Sequence, residues 1–295
     1  PMRQHMMSAM RLALFVTIAV LVSSPVSAQV DLSGIWGPVY HEDQPERIPG
    51  PHLGDYLGLP ITAGARRFAE SWDSARLSVP EHQCRVHTVP YIYRGPLRLR
   101  VWEERDPATQ RLIAIKHRIS TFAQLRTIWM DGRPHPTKYA RHTWMGFSTG
   151  HFEGDMLVVK TTHIKQNWFR RNGLPQSDQA TLTEYFARHG DVLTRTSIVE
   201  DPVYLTEPLI KSENFMRAVR PQEDNWVWPC ESVSEVARDP EDVPHYLPGT
   251  NPYLTEFSKR LRIPREVAGG GAEQMYPEYV LKLKELVGKG SRASH

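Results

Sequence analysis

The middle of this chain alternates between apolar and polar residues, and turn residues interrupt the pattern at regular intervals. Leu97, Leu99 and Val101 alternate with polar or larger side chains, and a similar run, 112–118, follows the turn residues Asp106 and Pro107. Alternation of this kind is typical of half-buried strands. Further strands are predicted at 121–130, 143–149, 156–162, 180–188, 192–199, 203–211 and 215–219.

Sequential hairpins with no helices between them predict a mainly β fold with an antiparallel sheet. About eight such strands close into a barrel or fold into a sandwich. Several strands carry large polar residues opposite their apolar face, and the lumen of a ligand-holding barrel accommodates such groups. We therefore expect a lipocalin-like barrel, with a β-sandwich as the alternative that would turn these groups to solvent.

Helical patterns flank the strands on both sides. A short N-terminal helix is predicted over 62–75, with Thr62 as its N-cap. The last part, 241–295, is rich in Pro and Gly and contains two helical patterns, 253–261 and 273–287. We interpret it as a C-terminal strap on a barrel domain of residues 29–240, which also includes the extended N-terminal segment and the first helix. The strap could cover a barrel mouth or form a homo-oligomer.

The first 28 residues have the pattern of a cleavable signal peptide. Arg3 and Arg11 precede an apolar run, 12–22, and the small residues ending at Ala28 fit a cleavage site. A membrane anchor is the alternative, but the run is shorter than the roughly 20 residues that span a bilayer. We expect cleavage near Ala28, a periplasmic or secreted protein and no transmembrane helix.

Two cysteines, Cys84 and Cys230, lie in the predicted mature chain. Export to an oxidising compartment favours one long-range disulfide between them, and two free thiols are the alternative. The net charge of +3 is spread along the chain without a basic block. Such a distribution is not typical of a nucleic-acid-binding protein, so no nucleic-acid partner is expected.

Five sequence strings together resemble a group of secreted bacterial proteins of unknown function. They are TIWMDGRPHP (127–136), GHFEGDMLVV (150–159), GLPQSD (173–178), DPVYLTEP (201–208) and PHYLPGTNP (244–252). The resemblance covers nearly all of the mature chain, from Asp31 to about Tyr279, and implies export and one compact domain. Many members of that group have His where this chain has Gln176 and Thr181.

The turn from Asp131 to Pro136 is the strongest single candidate for chemistry, because loops at strand ends commonly carry function. His135 could act as a general base, with Asp131 fixing its tautomer and Arg133 holding an anionic group. The alternative is a purely structural turn in which Asp131 caps backbone amides and pairs with Arg133.

A second candidate set lies on the predicted strands. If these side chains point into a lumen, their pKa values would be perturbed and they could transfer protons. A shift of one residue in strand register would instead turn them to solvent. The set consists of Arg126, His142, His163, Glu184 and Arg195.

Aromatic residues could line a site for a flat, apolar ligand, although core packing explains them equally well. They are Tyr91, Tyr93, Trp102, Trp129, Trp144 and Trp168.

Four histidines, at 87, 135, 142 and 163, could converge on zinc or copper, but no two have ligand spacing. Short motifs for nucleotide cofactors are missing from the sequence, so neither a metal nor another cofactor is expected.

The leading functional hypothesis is an exported barrel that takes a mainly apolar or aromatic small molecule into its lumen. It could also catalyse a cofactor-free proton transfer such as hydration, elimination or isomerisation, as a lyase or isomerase. The alternatives are an interaction module of the cell envelope and a metal-dependent hydrolase or oxidase. The assigned catalytic residues are His135, Asp131, Arg133, Glu184 and His163, and the assigned ligand-binding residues are Tyr93, Trp102, Arg126, Trp129, His142, Trp144 and Arg195.

Overall fold

A computed structural model describes residues 30–41, 50–95, 97–219, 229–233, 239 and 241–292. The predicted signal peptide therefore lies outside the described residues. The strands are β1 (Gly34–Pro38), β2 (Leu99–Arg105), β3 (Leu112–Ile119), β4 (Gln124–Trp129), β5 (Phe147–Glu153), β6 (Met156–Thr162), β7 (Asn167–Trp168), β8 (Pro175–Gln176), β9 (Thr181–His189), β10 (Val192–Glu200) and β11 (Leu209–Arg217). The helices are α1 (Ala63–Glu70), α2 (Pro80–Gln83), α3 (Val89–Ile92), α4 (Glu256–Leu261), α5 (Arg265–Ala268) and α6 (Tyr279–Arg292), with 3₁₀ helices at Ser74–Ser78, Pro252–Thr255 and Ala272–Met275.

Nine of the strands close into a barrel in the order β1-β11-β10-β9-β6-β5-β4-β3-β2, and β7 and β8 form a separate two-stranded sheet. The mainly β fold and its closure into a barrel are confirmed, and the β-sandwich alternative is wrong. All barrel pairs are antiparallel except β4 with β5, where Ile128 lies opposite Ser148 in parallel register. A parallel neighbour needs a long return connection, and residues 130–146 supply it.

Local chemistry explains the strand ends. The Asp106 carboxylate accepts hydrogen bonds from the amides of Ala108 and Thr109, which forms the turn between β2 and β3. Gly190, at φ 60°, occupies the left-handed region in the turn between β9 and β10. Along β10 every second residue is buried, so one face of this strand packs into the barrel interior.

Several predicted elements differ from the structure. The strand predicted over 143–149 lies at Phe147–Glu153 as β5. The run 203–219 contains one strand, β11, instead of two, because the buried Asp201 carboxylate accepts hydrogen bonds from the amides of Val203 and Tyr204 and holds a turn there. The helix predicted over 62–75 ends at Glu70, and Asp73 then caps the 3₁₀ helix that follows. The loop predicted over 80–90 instead contains α2 and the start of α3.

Helix α3 plugs one end of the barrel interior. Val89, Ile92 and the following Tyr93 are almost completely buried. The side chain of Arg195 points inward from β10, and its guanidinium Nη2 donates to the Val89 carbonyl at 3.2 Å. The plug is therefore bonded to the barrel wall through its backbone as well as packed against it.

The C-terminal strap runs along the first helix. The amide of Tyr246 donates to the Ser71 carbonyl, and the Asn251 side chain donates to the carbonyls of Glu70 and Trp72. These contacts place residues 245–251 against the end of α1.

Within the described ranges, no helix combines the length and the apolar character needed to cross a bilayer.

The predicted disulfide between Cys84 and Cys230 is confirmed, with Cα atoms 5.4 Å apart and a sequence separation of 146 residues. Beside it, the Gln83 side chain donates to the Val233 carbonyl at 2.6 Å and accepts from the Val233 amide at 2.7 Å. The disulfide and these bonds together fix residues 230–233 to the segment that precedes the plug.

Removing the disulfide in a Cys84→Ser/Cys230→Ser variant should lower the free energy of unfolding by about 5 kcal/mol. The chain-entropy model gives this value for a loop of this length, because the unfolded chain regains the freedom that the cross-link removed. Urea unfolding at pH 7 measures the change. A Gln83→Ala variant is the matched control, since it cuts the neighbouring hydrogen bonds without opening the loop and should cost about 1–2 kcal/mol. Equal losses in both variants would contradict the prediction.

Candidate functional site

The interior of the barrel contains a buried ion-pair network centred on Glu184 of β9. Arg126 of β4 donates from Nη1 to Glu184 Oε1 at 3.0 Å and pairs through Nη2 with the other carboxylate oxygen. Arg195 of β10 donates from Nε to Glu184 Oε1 at 2.7 Å. All three side chains have no exposed surface, so Glu184 links two arginines inside the barrel.

A second carboxylate extends the network toward the plug. Glu213 of β11 accepts from Arg195 Nη1 at 2.6 Å and lies 3.3 Å from Arg94 Nε. Arg94 follows the plug helix in sequence, and its side chain is also buried. The charges of β10, β11 and the plug are therefore joined in one chain of contacts.

Hydroxyl groups satisfy the remaining donors of Arg126. Its Nε donates to Ser148 Oγ at 3.2 Å, its Nη2 donates to Thr161 Oγ1 at 2.9 Å, and its Nη1 donates to the Tyr93 hydroxyl at 3.0 Å. The Tyr93 hydroxyl also lies 2.7 Å from Nδ1 of His117. A buried guanidinium with its donors bonded is the arrangement in which a charge is tolerated away from water.

Glu184 and His117 do not change their protonation states near neutral pH. Burial by itself raises the pKa of Glu184, but Arg126 and Arg195 outweigh burial and lower that pKa to about 2. Burial, reinforced by Arg126, lowers the pKa of His117 to about 3. Glu184 is therefore ionised and His117 neutral at pH 7, and neither pKa matches that of a general acid or base working there.

These interior groups fill the space that was expected to receive a ligand. Tyr93, Arg126, Glu184 and Arg195 do face the interior, but they contact one another at hydrogen-bond distance. Phe186 packs beside them, with its ring 6.2 Å from that of Tyr93. The barrel therefore has a packed polar core at this level.

In the turn after β4, Asp131 pairs with Arg133, as expected for a purely structural turn. Arg133 Nε donates to both carboxylate oxygens of Asp131, at 2.9 and 3.0 Å. The guanidinium carbon of Arg133 also lies 3.5 Å from the centroid of the Trp129 ring. Ion pairing and stacking on an aromatic ring thus engage Arg133 within its own turn.

The expected hydrogen bond between Asp131 and His135 is not formed. His135 Nδ1 lies 2.8 Å from Thr162 Oγ1, and its Nε2 lies 2.8 Å from Thr149 Oγ1. The physical reason is that Asp131 bonds Arg133 two residues away, while His135 packs onto the outer faces of β5 and β6. Burial and the nearby Lys160 lower the pKa of His135.

His142 and His163 lie close to this turn, with ring centroids 5.2 Å apart. His163 contacts Thr162 Oγ1 through Nδ1 and the Thr137 carbonyl through Nε2. In the part of the chain that the structure describes, no group of three or more His, Cys, Asp or Glu side chains is placed to hold a metal ion.

The predicted aromatic residues are dispersed over the molecule. Trp102 lies under the guanidinium of Arg100, and Trp129 lies near Lys116 as well as Arg133. Trp144 and Trp168 line one cavity and Tyr91 lines another. They therefore do not form a single lining.

The larger of these two cavities, about 440 Å³, lies against the plug, and we call it the plug cavity. The His87 ring in its wall lies 4.8 Å from Tyr91 and 5.7 Å from Phe122. His87 Nδ1 is buried without a partner among the described residues. Burial, reinforced by Arg171, lowers the pKa of His87 to about 3. The lining includes His87, Tyr91, Ile92, Leu97, Phe122, Arg171 and Glu231.

A second cavity of about 260 Å³ contains three tryptophans, and we call it the tryptophan cavity. Its lining includes Trp72, Trp144, Trp168, Arg76, His82 and Arg85. A third, of about 280 Å³, lies between Tyr56, Arg66 and Glu70 and the residues of the strap. The sequence predicted Tyr91, Trp144 and Trp168 as aromatic lining. It did not predict that Tyr91 lines a different cavity from the two tryptophans, because this depends on how the loops fold onto the barrel.

No protein-family model matches this chain, and neither a curated protein nor a solved structure is significantly similar to it. The resemblance to secreted bacterial proteins therefore stays a prediction.

Substituting Glu184→Gln should lower the free energy of unfolding by about 3–5 kcal/mol, because two buried arginines lose their shared counter-charge. Chemical denaturation at pH 7 measures this loss. Glu104→Gln is the matched control, since Glu104 pairs with Lys116 at 2.9 Å while half-exposed, and surface pairs contribute about 1 kcal/mol or less. A loss for Glu184→Gln as small as that of the control would refute the stabilising role of the network.

Stability should fall as the pH falls from 7 to 5, and His117 should account for about 2 kcal/mol of that fall. The pKa of His117 is about 3 in the folded protein and roughly 6.5 in an unfolded chain, so the unfolded state binds more protons between these values. Urea titrations of His117→Gln at both pH values should show a smaller pH effect by that amount. His151→Gln, which removes an exposed imidazole, is the control, and an unchanged pH effect in His117→Gln would disprove the assignment.

Proposed function

We propose that this protein is an exported barrel protein that binds a mainly apolar or aromatic small molecule in the plug cavity. The observation that supports the proposal best is a cavity of about 440 Å³ with an aromatic and aliphatic wall. One imidazole nitrogen of a wall residue is buried with no partner among the described residues. Small-molecule sites commonly have volumes of ~300–1,000 Å³, apolar walls and a few placed polar groups.

The wall favours a ligand with a flat apolar body. Tyr91 and Phe122 each pack edge to face with His87, and Ile92 and Leu97 add aliphatic surface. Rings prefer edge-to-face or offset contacts with such side chains. His87 Nδ1, which has no hydrogen-bond partner among the described residues, would gain from one.

Binding has more support than catalysis. A general base works best when its pKa lies near the working pH, and the pKa of His87 is about 3. Glu184, the predicted interior catalyst, is held by two arginines. Neither His87 nor Glu184 is therefore suited to act as the base in a hydration, elimination or isomerisation.

The compartment and the partners belong to the same proposal. A long-range disulfide fits an oxidising compartment, in agreement with the predicted signal peptide and periplasmic or secreted location. Self-association through the strap stays a prediction. A role as an envelope interaction module would be favoured if the plug cavity takes up no small molecule.

The test uses N-phenyl-1-naphthylamine, a neutral probe whose fluorescence rises in apolar surroundings. The wild-type protein should bind it in a saturable manner, and Gly95→Phe should weaken binding at least tenfold. Gly95 lines the plug cavity, and a Cβ added there meets no atom within 4 Å, so the new ring has room to enter the cavity.

Gly288→Phe is the matched control, because a Cβ added to this exposed glycine of α6 also meets no atom within 4 Å. It should bind the probe like the wild-type protein. Equal binding by both variants would place the probe elsewhere, and a wild-type protein that does not bind the probe would count against the proposed function.

A further inference from the structure

We propose that the tryptophan cavity is a second binding site, which takes a small planar organic anion of the aromatic carboxylate class. This site goes beyond the plug cavity and does not rest on the function proposed for it. Three independent observations support it: the arrangement of the rings, the excess of positive charge and the unpartnered polar atoms in the wall.

The rings in the wall are arranged to receive another flat ring. Trp72 and Trp168 meet edge to face, with centroids 5.5 Å apart and planes inclined by 61°. The His82 ring stacks on Trp168 at 6.2 Å with planes inclined by 16°. Trp144 also lines the cavity, and the Nζ of Lys165 lies 4.6 Å from the centroid of its ring.

The charge in the wall is positive. Arg76 and Arg85 line the cavity, and its described lining contains no carboxylate. Asp73 and Glu81 offset the charge of Arg76 and Arg85 from outside the lining. Arginine binds a carboxylate through two parallel hydrogen bonds, which lysine cannot do.

The cations are also crowded and partly dehydrated. Burial lowers the pKa of both Arg76 and Arg85. Burial, then Arg85 and Arg76, lowers the pKa of His82 to about 4. An anion in the cavity would relieve this repulsion, whereas a neutral ring of the same shape would not.

Three residues of the wall carry a buried polar atom that has no hydrogen-bond partner within the described ranges. These atoms are Trp168 Nε1, Asn167 Oδ1 and His82 Nδ1. Asn167 is held in place because its Nδ2 donates to the Val86 carbonyl at 2.9 Å. The Trp168 N–H is a donor suited to a carboxylate oxygen, and Asn167 Oδ1 suits a hydroxyl substituent on the ring.

Among the described residues, Arg76 has a side-chain hydrogen bond to the strap and Arg85 has none, so Arg85 is the arginine to change. Arg76 Nε donates to the Pro244 carbonyl of the strap at 3.2 Å. Replacing Arg76 would therefore disturb the strap as well as the cavity. Replacing Arg85 removes a charge from the cavity with less effect on the fold.

The experiment compares benzoate with benzyl alcohol, which has the same ring without the charge. Isothermal titration calorimetry at pH 7 measures affinity, and tryptophan fluorescence excited at 295 nm reports whether the indoles are involved. Benzoate should bind at least tenfold more tightly than benzyl alcohol and should change the fluorescence. Arg85→Gln should weaken benzoate binding at least tenfold.

Arg111→Gln is the matched control, because Arg111 is an exposed arginine outside the cavity lining and its loss changes the net charge equally. It should bind benzoate like the wild-type protein. Equal affinities for benzoate and benzyl alcohol, or equal binding by the two arginine variants, would overturn the proposal. Inorganic phosphate that binds as tightly as benzoate would overturn the requirement for a ring.

Two further variants test where benzoate binds. If Arg85→Gln does not fold, Trp144→Ala should remove most of the fluorescence change caused by benzoate, and an undiminished change would count against the site. Gly95→Phe, which fills the plug cavity, should leave benzoate binding unchanged. Loss of benzoate binding in Gly95→Phe would show that benzoate occupies the plug cavity instead.

Discussion

The carboxylate of Glu184, shared between Arg126 and Arg195, determines what this barrel can hold. β4 and β9 are separated in the barrel by β5 and β6, so the ion pair with Arg126 crosses the interior. Removing three charged groups from water is costly unless their remaining polar atoms form hydrogen bonds. Ser148 and Thr161 accept hydrogen bonds from Arg126. The result is a packed core in place of an open lumen, which leaves the ends and outer loops as the places for ligands.

The same network selects strand register and positions the plug. In the β9–β10 pair, Glu184 lies opposite Ser197 and Arg195 opposite Phe186, so the two charges meet diagonally on the inner face. A slip of one residue would turn one of them to solvent and leave the other unpaired inside. Arg195 also bonds the Val89 carbonyl. The interior charges thereby fix the helix whose outer side forms the wall of the plug cavity.

The sequence was sufficient to predict the barrel, because the alternation along strands and the chemistry of turns are local features. For example, β6 begins and ends where the pattern predicts, and Thr62 caps α1. The plug was missed, because a four-residue helix has no periodicity to detect. Residue type and predicted strand position singled out Arg126, Glu184 and Arg195 as interior candidates. Their pairing with one another could not be predicted, because contacts across a barrel depend on the register of several strands at once. The cavities could not be predicted because they depend on how the loops pack onto the barrel.

One stretch of chain, 76–92, contributes to both cavities. Arg76, His82 and Arg85 line the tryptophan cavity, whereas His87 and Tyr91 line the plug cavity. The ring of Trp168 contacts both groups, at 6.2 Å from His82 and 5.7 Å from His87.

This stretch is held at two points of different strength. The disulfide at Cys84 ties it covalently to residue 230, which also lines the plug cavity. The interior charges hold its far end through Val89. The two cavities therefore share a wall that one covalent bond and the interior charges hold in place.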